Sequence, residues 1–348
     1  MQALQFADHG GPSVLEYDKY PDPTLGDGDV RLEIEATALN YLDIWAREGD
    51  HGISLPTPHV PGSDGVGRVI EVGENVERFK IGDRAVLHAA VSCGTCEYCR
   101  DGQESMCVDY HVIGAHRQGV HAEYAAVPAE NLLPVPDSVP AETAAAAPLI
   151  FETAWRQLLT RGRVSPGEDI LVYGASGGLG HAALQIVKHA GATAYAVGSS
   201  EEKLAFAESY GADHTIDYTK SDVADTVRSM TDRRGVDAVF DHVGAATWPS
   251  SLESLAKGGR LFACGVTEGT HAEVDINRVF YNQLEIIGST MANPGEADDV
   301  LNLVWSDAIE PHVDQTFPMS EAETAYRLLE SGDCMGKIVL VPDEKHER

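Results

Sequence analysis

Four cysteines are the residues of this chain whose type and spacing point most directly to a metal. They follow the pattern C-x2-C-x2-C-x7-C, at Cys93, Cys96, Cys99 and Cys107. Four thiolates at such a spacing match a closed tetrahedral zinc site. Two disulfides are disfavoured because the N-terminus carries no secretion signal, while an iron–sulfur cluster is the second alternative. We expect one structural zinc ion per subunit, with no coordination position open to a substrate.

A glycine-rich turn is the second motif. It follows an apolar run at residues 170–173 and precedes a helical pattern, and its expected contact residues are Gly174, Ser176, Gly177, Gly178, Leu179 and Gly180. A strand, a glycine turn and a helix together direct backbone N–H groups and a helix N-terminus at a pyrophosphate. The alternative is an ordinary tight turn. The context favours a dinucleotide-binding site.

The residues after the next expected strand indicate which dinucleotide is bound. Proteins that bind NAD have an acidic residue there, which holds the ribose 2′-OH. In this chain the strand is followed by Gly198, Ser199 and Ser200. The two serines and Lys203 could receive a 2′-phosphate, although two neighbouring glutamates oppose it. We therefore expect NADP(H), with NAD(H) as the alternative. Further contacts are expected where later strands end, at Val243, Gly265, Val266, Ser289 and Thr290.

The composition is strongly acidic, with a formal net charge of −30 over 348 residues. Nucleic-acid binding depends on Lys and Arg that neutralise phosphates, so the charge argues against such a partner. An acidic shell keeps a protein dispersed in water, and a halophilic source is a hypothesis that it suggests. No signal peptide or membrane-length apolar run is found. We expect a soluble, cytoplasmic protein that uses no membrane.

Two patterns of secondary structure divide the chain. Up to about residue 135, short apolar or alternating runs (30–36, 65–72, 84–87 and 123–127) predict an all-β, barrel-like domain, with a short helix at 39–47. From residue 141 to about 287, apolar strands (170–173, 193–197, 238–243, 260–265 and 284–287) alternate with helices, which predicts a doubly wound parallel sheet. The last segment, with a helix at 297–305 and a strand at 337–341, is expected to return to the first domain.

With these motifs in this order, the chain resembles the medium-chain dehydrogenase/reductase superfamily. The matching segments are ALNYLDIWAREG (38–49), PHVPGSDGVGRVIEVGENVERFKIGDRAV (58–86), the cysteine lobe, GASGGLG, GADHTIDY (211–218), FDHVGAATW (240–248) and the GK-IVL ending (336–340). The resemblance implies an α/β protein with a GroES-like β-barrel catalytic domain (1–148 and 293–348) and a Rossmann domain (149–292). It also implies a cofactor cleft between the two domains.

The departures from the superfamily concern its catalytic zinc. Metal-dependent members hold that ion through a cysteine where this chain has Asn40, a histidine where it has Ser63, and a cysteine where it has Phe151. Leu42 replaces a hydroxyl that relays the alcohol proton. A catalytic zinc needs three protein ligands, and these residues cannot supply them. The chain resembles the zinc-less quinone oxidoreductases and enoyl reductases, although it keeps the structural cysteine lobe.

Without a Lewis acid, an easily reduced electrophile is expected as substrate. A quinone or an α,β-unsaturated carbonyl accepts hydride at carbon while charge spreads toward oxygen, where hydrogen-bond donors can stabilise it. The candidates are the Asn40 amide and the Tyr41 hydroxyl, and Tyr41 or water could supply the proton. Asp43 is the third residue expected to belong to the catalytic site. The alternative for Asn40 is a turn or cap at a helix start.

Two alternative functions follow from the same residues. Asp43, His59, Asp64 and Glu152 lie near the substituted ligands in sequence and could build a non-standard zinc site, which would indicate an alcohol or polyol dehydrogenase. Loss of the ligands would also suit a cofactor-binding protein with little catalysis. Residues 284–291 (LEIIGSTM) resemble the superfamily's edge strand that pairs across a dimer, so the resemblance implies a homodimer, or a tetramer built from dimers.

Overall fold

The computed structural model describes residues 1–49, 53 and 55–343, which belong to two compact units. Unit 1 joins Met1–Leu149 to Ala292–Arg348, and unit 2 is the continuous segment Ile150–Met291. No helix among the described residues combines the length and the apolar character needed to cross a bilayer.

The first segment of unit 1 is mainly β structure. Its strands are β1 (Gln2–Gln5), β2 (Glu16–Lys19), β3 (Asp29–Ala38), β4 (Asp64–Val72), β5 (Arg84–Leu87), β6 (Ala90–Val91), β7 (His111–Val112), β8 (Tyr124–Pro128) and β9 (Leu132–Pro134). Its helices are α1 (Tyr41–Glu48), α2 (Glu97–Arg100), α3 (Ala141–Ala146) and the start of α4 (Pro148–Trp155). Buried and partly exposed positions alternate along most of β3, as expected of a strand with one face on the core.

Unit 2 alternates strands and helices. Its strands are β10 (Asp169–Val172), β11 (Thr193–Gly198), β12 (His214–Asp217), β13 (Val236–Asp241), β14 (Leu255–Ala263) and β15 (Glu285–Gly288). Its helices are the remainder of α4, a π-helix that follows it (Arg156–Arg161), α5 (Gly178–His189), α6 (Glu201–Ser209), α7 (Val223–Met230), α8 (Trp248–Ser254) and α9 (Ile276–Tyr281). The strands form one parallel sheet in the order β12-β11-β10-β13-β14-β15. The order reverses between β10 and β13, where doubly wound sheets bind ligands, and the predicted α/β class is confirmed.

The C-terminal segment completes the sheet of unit 1. It contains α10 (Pro294–Trp305), β16 (Val313–Pro318), α11 (Ala322–Ser331) and β17 (Lys337–Val341). β17 pairs antiparallel with β3, placing Val339 opposite Ala38 and Leu340 opposite Thr37. The sheet order is β16-β17-β3-β4-β5-β9, with β8 also paired to β3. The strand that borders β3 on this side is thus synthesised after unit 2.

Two strand boundaries differ from the sequence prediction. The strand expected at 238–243 ends at Asp241, because the Asp241 carboxylate accepts hydrogen bonds from the N–H groups of Val243 (2.9 Å) and Gly244 (3.0 Å) and turns the chain. The strand expected at 260–265 instead runs from Leu255 to Ala263. Its early start lies in a glycine-containing stretch with weak β propensity, which the sequence pattern did not reveal.

Candidate functional site

The cysteine lobe, defined as residues 93–107, brings its four thiols together in unit 1. The four sulfur atoms all lie within 4.8 Å of one another, and each cysteine is a free thiol. Four sulfurs bonded to one zinc ion at about 2.3 Å would stand about 3.8 Å apart. The donor set and its spacing therefore fit one tetrahedral metal ion.

Backbone N–H groups point at these sulfurs. The N–H of Cys93 donates to Cys107 Sγ (3.2 Å), and the N–H of Cys96 donates to Cys93 Sγ (3.4 Å). Hydrogen bonds from Thr95, followed by the one from Cys96, lower the pKa of Cys93 to about 6. Such donors stabilise the thiolate, which is the form of cysteine that binds metals.

In unit 2, the glycine turn has the geometry of a phosphate cradle. Gly174 has a φ of +57°, and a Cβ on Gly180 would lie 2.1 Å from the Gly174 carbonyl oxygen, so strand and helix approach closely only without side chains. A Cβ on Gly177, the N-cap residue of α5, would meet the described protein only at 3.5 Å. Packing within the described protein therefore does not require a glycine at this position. Buried Ser176 and half-buried Gly178 and Leu179 lie in the same turn.

The structure brings the later predicted cofactor residues to one edge of the sheet. Gly265 packs so closely on the loop after β13 that a Cβ there would lie 2.6 Å from the carbonyl oxygen of His242. A Cβ on Gly244 in that loop would lie 3.1 Å from Val266 Cα. Ser289 donates its N–H to the carbonyl of Ala263 (3.2 Å). Val243 lies in the same loop, and exposed Thr290 follows Ser289.

Asp241 organises this edge and was missed by the sequence reasoning. Besides the two N–H groups that turn the chain, its carboxylate accepts hydrogen bonds from the hydroxyls of Thr247 (2.8 Å) and Ser251 (2.6 Å). A buried carboxylate is stabilised only when its oxygens are fully hydrogen-bonded. The available signal was an acid at the end of an apolar strand, in FDHVG.

The three residues expected to bind a 2′-phosphate, Ser199, Ser200 and Lys203, follow the end of β11. Ser200 is the N-cap of α6, and its hydroxyl oxygen accepts the N–H of Lys203 at 3.2 Å. Its own proton can still be donated, because an N-cap hydroxyl uses only its oxygen. Ser199 and Ser200 are half-buried, between Gly198 and the first turn of α6.

Two further residues at this edge come from β12. Asp217 lies opposite Gly198 in the parallel register, and Lys220 balances its charge at 2.9 Å. The next residue, Tyr218, donates its N–H to the Gly198 carbonyl (3.2 Å) and is 56% exposed. Tyr218 therefore stands beside the residues predicted to bind the ribose, a proximity that requires the β11–β12 pairing to be known.

A buried polar cluster in unit 1, termed the ammonium cluster, consists of Leu39, Asn40, Ser63, Asp64 and Lys337. Lys337 Nζ donates to the Leu39 carbonyl (2.7 Å), to Asn40 Oδ1 (2.5 Å) and to Asp64 Oδ2 (3.1 Å). Asn40 Nδ2 donates to Asp64 Oδ2 (2.9 Å) and Ser63 Oγ (3.4 Å). The amide expected to face a substrate is thus held by a cation and a carboxylate.

Asn40 is also the N-cap residue of α1, and Asp43 completes this cap. Asp43 Oδ2 accepts the N–H of Asn40 (2.8 Å), and Oδ1 accepts that of Gly62 (3.1 Å). Burial raises the pKa of Asp43 to about 7 because it disfavours the charged form. His121 Nε2 lies 3.9 Å from Asp43 Oδ2, its Nδ1 lies 2.9 Å from Thr37 Oγ1, and burial lowers its pKa to about 3.

The residues of the alternative zinc site are engaged separately. Asp43 caps α1, Asp64 binds Lys337, His59 Nε2 lies 3.0 Å from the Gly114 carbonyl, and Glu152 belongs to unit 2. Among the described residues, the cysteine lobe is the one group in which three or more potential ligands lie within reach of a single ion. Tyr41, the other donor candidate, is half-buried at the first position of α1.

Family models match both units. The model for the alcohol dehydrogenase GroES-like domain matches residues 26–137, and that for zinc-binding dehydrogenases matches residues 178–306. The first match shows that the sheet of unit 1 is GroES-like, as the sequence resemblance implied.

Whole-length relatives carry several names. An acryloyl-coenzyme A reductase of Sulfurisphaera tokodaii is 31% identical over 96% of this chain and 98% of its own length. A quinone oxidoreductase of Pseudomonas aeruginosa is 32% identical over 97% of this chain and 99% of its own. The crystal structure of an NAD-dependent alcohol dehydrogenase superposes with a TM-score of 0.94 at 41% identity, covering 99% of this chain and 100% of the other.

Proposed function

Because this chain belongs to the medium-chain dehydrogenase/reductase superfamily of NAD(P)-dependent oxidoreductases, we propose that it transfers hydride from NADPH to a quinone or an α,β-unsaturated carbonyl without a catalytic metal. The ammonium cluster is the observation that carries the proposal. Lys337 already places a positive charge on the oxygens of Asn40 and Asp64. A metal cation at these oxygens would have to displace the ammonium group and overcome its charge.

The chemistry assigned to Asn40 is stabilisation of the charge that develops on the substrate oxygen. A preorganised donor in a site without water is worth about 3 kcal/mol in such a transition state. A quinone or an enone spreads its negative charge, so hydrogen bonds suffice where a simple ketone would need a Lewis acid. The names of the acryloyl-coenzyme A reductase and quinone oxidoreductase relatives support this substrate class.

Turnover by an Asn40 variant tests the proposal. We expect Asn40→Ala to lower kcat for benzoquinone or an enone by at least about tenfold, because one oxyanion donor is lost. Asn302→Ala, an exposed position on α10 in the same unit, is the matched control and should keep the wild-type kcat. An unchanged kcat in Asn40→Ala would remove Asn40 from the mechanism.

Metal counting separates the proposal from its alternative. We propose one zinc ion per subunit, held by the cysteine lobe in a structural role, with units 1 and 2 as the catalytic and dinucleotide-binding domains. Elemental mass spectrometry on protein purified without added metal should find one zinc. Two would favour alcohol dehydrogenation through a second site. A zinc site of four thiolates requires reduced cysteines, which suits a reducing compartment, and we propose that the enzyme works in the cytoplasm.

The preference for NADPH is proposed from the residues at the end of β11. Ser199, Ser200 and Lys203 supply two hydroxyls and a cation, with exposed Tyr218 beside them. Lys203→Ala should therefore raise KM for NADPH and leave KM for NADH unchanged. A wild-type kcat/KM that clearly favours NADH would contradict this assignment, and the name of the NAD-dependent structural relative makes that comparison necessary.

A homodimer through β15 is the proposed assembly. This strand is one of the two outer strands of the parallel sheet, and its Ile286 is 44% exposed. An apolar outer strand with free backbone groups tends to pair with another chain. Calibrated size-exclusion chromatography should give a dimer, or a tetramer built from dimers. Ile286→Lys should shift it toward monomer, whereas a wild-type monomer would refute the assembly.

A further inference from the structure

Lys337 is a buried lysine whose ammonium group is fully satisfied. Its side chain is 3% exposed, and removing an ammonium group from water costs several kcal/mol unless its hydrogen bonds are replaced. The replacement is complete, since three N–H donors meet three oxygen acceptors at 2.5 to 3.1 Å. The ammonium group therefore has a defined position and no proton left for a substrate.

This lysine determines the orientation of the Asn40 amide. An ammonium group cannot accept a hydrogen bond, so the atom 2.5 Å from it must be the amide oxygen. The amide nitrogen then faces Asp64 and Ser63. Lys337 and Asp64 together select one of the two orientations of the amide and make its nitrogen the donor.

The same lysine affects how strongly that nitrogen can donate. Asp64 is held at both oxygens, since Oδ1 accepts the Leu149 N–H (3.0 Å) and Oδ2 accepts from both Lys337 and Asn40. Sharing Oδ2 with an ammonium group weakens the hold of the carboxylate on the amide. The cation on the amide oxygen also polarises the N–H bonds of the same amide, because hydrogen bonds in series strengthen one another.

On the basis of the proposed function, we infer that Lys337 is a positioning residue for hydride transfer. It fixes the Asn40 amide with its nitrogen as the donor and polarises its N–H bonds. The N–H held by the longer bond to Ser63 Oγ (3.4 Å) is the one that would be released to the negative charge forming on the substrate oxygen. Lys337 acts through Asn40 and does not touch the substrate.

The test variant removes both charges of the pair. Lys337→Met alone would leave Asp64 as a buried unpaired carboxylate, which is strongly destabilising, so Lys337→Met is combined with Asp64→Asn. Lys19→Met, at an exposed lysine of β2, is the control. We expect kcat per NADPH-binding site to fall at least about tenfold in the double variant, with the Kd for NADPH within about threefold of wild type. A purely structural role would lower the melting temperature and leave kcat per binding site unchanged, which would overturn the inference.

A second readout does not depend on turnover. Hydrogen exchange of the Asn40 side-chain amide can be followed by NMR with ¹⁵N-asparagine labelling, the resonance being identified by its absence in Asn40→Ala. We expect faster exchange in the double variant, and unchanged exchange would overturn the inference. If Asn40→Ala loses activity and the double variant does not, Lys337 is excluded while the proposed function stands. If the wild type reduces neither quinones nor enones, the proposed function fails and the inference about hydride transfer fails with it, whatever the amide exchange shows.

Discussion

The cysteine lobe and the ammonium cluster are two ways of placing a cation in unit 1, and they are assembled differently. The lobe takes four thiols from one loop, whereas the cluster joins Asp64 to a lysine 273 residues away in the sequence. The proposed zinc ion can be removed by a chelator, but the ammonium group is part of the chain. In this protein, a removable cation would support a loop, while a permanent one stands beside the proposed chemistry.

Removing a thiol from the lobe is the variant with the largest expected effect. Cys96→Ser should reduce bound zinc at least about tenfold and lower the melting temperature, because metal binding and folding of the lobe are coupled. NADPH binding by unit 2 should persist. Elemental mass spectrometry and thermal unfolding provide the measurements. The control variant Cys334→Ser, which lies outside the lobe, should bind as much zinc as the wild type. A full zinc ion bound to Cys96→Ser would contradict the assignment of the lobe as the zinc site.

The carboxyl and imidazole beside the ammonium cluster should have opposite effects on stability. The folded-state pKa of Asp43 is raised from 3.8 to about 7, so its contribution to stability is present at low pH and is lost as pH rises through this range. The pKa of His121 is lowered from 6.5 to about 3, so its contribution is present at high pH and is lost as pH falls. Between about pH 4 and 6.5 the loss of stability from Asp43 and the gain from His121 nearly cancel as pH rises.

Single variants should reveal each pH dependence separately, as a change in the free energy of unfolding of about 1.4 kcal/mol per pH unit. Relative to wild type, His121→Gln should lose stability as pH rises from 4 to 6.5, and Asp43→Asn should gain it. Urea unfolding at several pH values measures both, and differences from wild type remove the background of the other acids. Asp298→Asn, at an exposed position on α10, serves as control. If the free energy of unfolding changed with pH in the same way in the wild type and in both variants, the opposite effects assigned to Asp43 and His121 would be ruled out.

The glycine turn extends the comparison to a second local motif, where packing and binding can be separated. Gly180→Ala should destabilise the fold by about 2 kcal/mol, because its Cβ would lie 2.1 Å from a backbone oxygen. Gly177→Ala has room within the protein and a φ of −78°. It should keep the melting temperature yet weaken NADPH binding at least about tenfold. Equal effects of both variants on both measurements would count against this division.

Salt should have the smallest effect, and it should act on the exposed acids more than on either cation site. A net charge of −30 repels itself, and salt screens that repulsion. We expect molar KCl to raise the free energy of unfolding by about 1 kcal/mol. Urea unfolding across a KCl series measures this, and indifference to salt would remove the halophilic hypothesis.

The lobe could be predicted from sequence because its ligands and turns are local. The same holds for the glycine turn, for α1 and for strands such as β5 and β17, where the periodicity of a short window determines the structure. The role of Lys337 could not be predicted, since it depends on the antiparallel pairing of β17 with β3. One signal was available: KIVLV begins with a lysine in an otherwise apolar strand, and a lysine in a buried strand requires a partner.

Two further residues of unit 1 depend on tertiary contacts in the same way. Asn40 matched both a catalytic donor and a helix cap, and the structure shows that the cap uses its backbone while the cluster uses its side chain. Asp43 was grouped with potential zinc ligands, but two backbone N–H groups occupy its oxygens. Residue type alone does not tell which partner a carboxylate binds, because backbone donors are present everywhere along the chain.

The return of β17 to β3 also imposes an order on biosynthesis. The ribosome completes all of unit 2 before it makes Lys337, so Asp64 is synthesised long before its cation. Until then, the end of β3 at Thr37 and Ala38 lacks the strand that will cover it, and exposed strand edges invite pairing with other chains. Unit 2 is continuous and can fold on emergence. The nascent N-terminal segment therefore lacks β17 and is prone to aggregation until residues 337–341 have been synthesised.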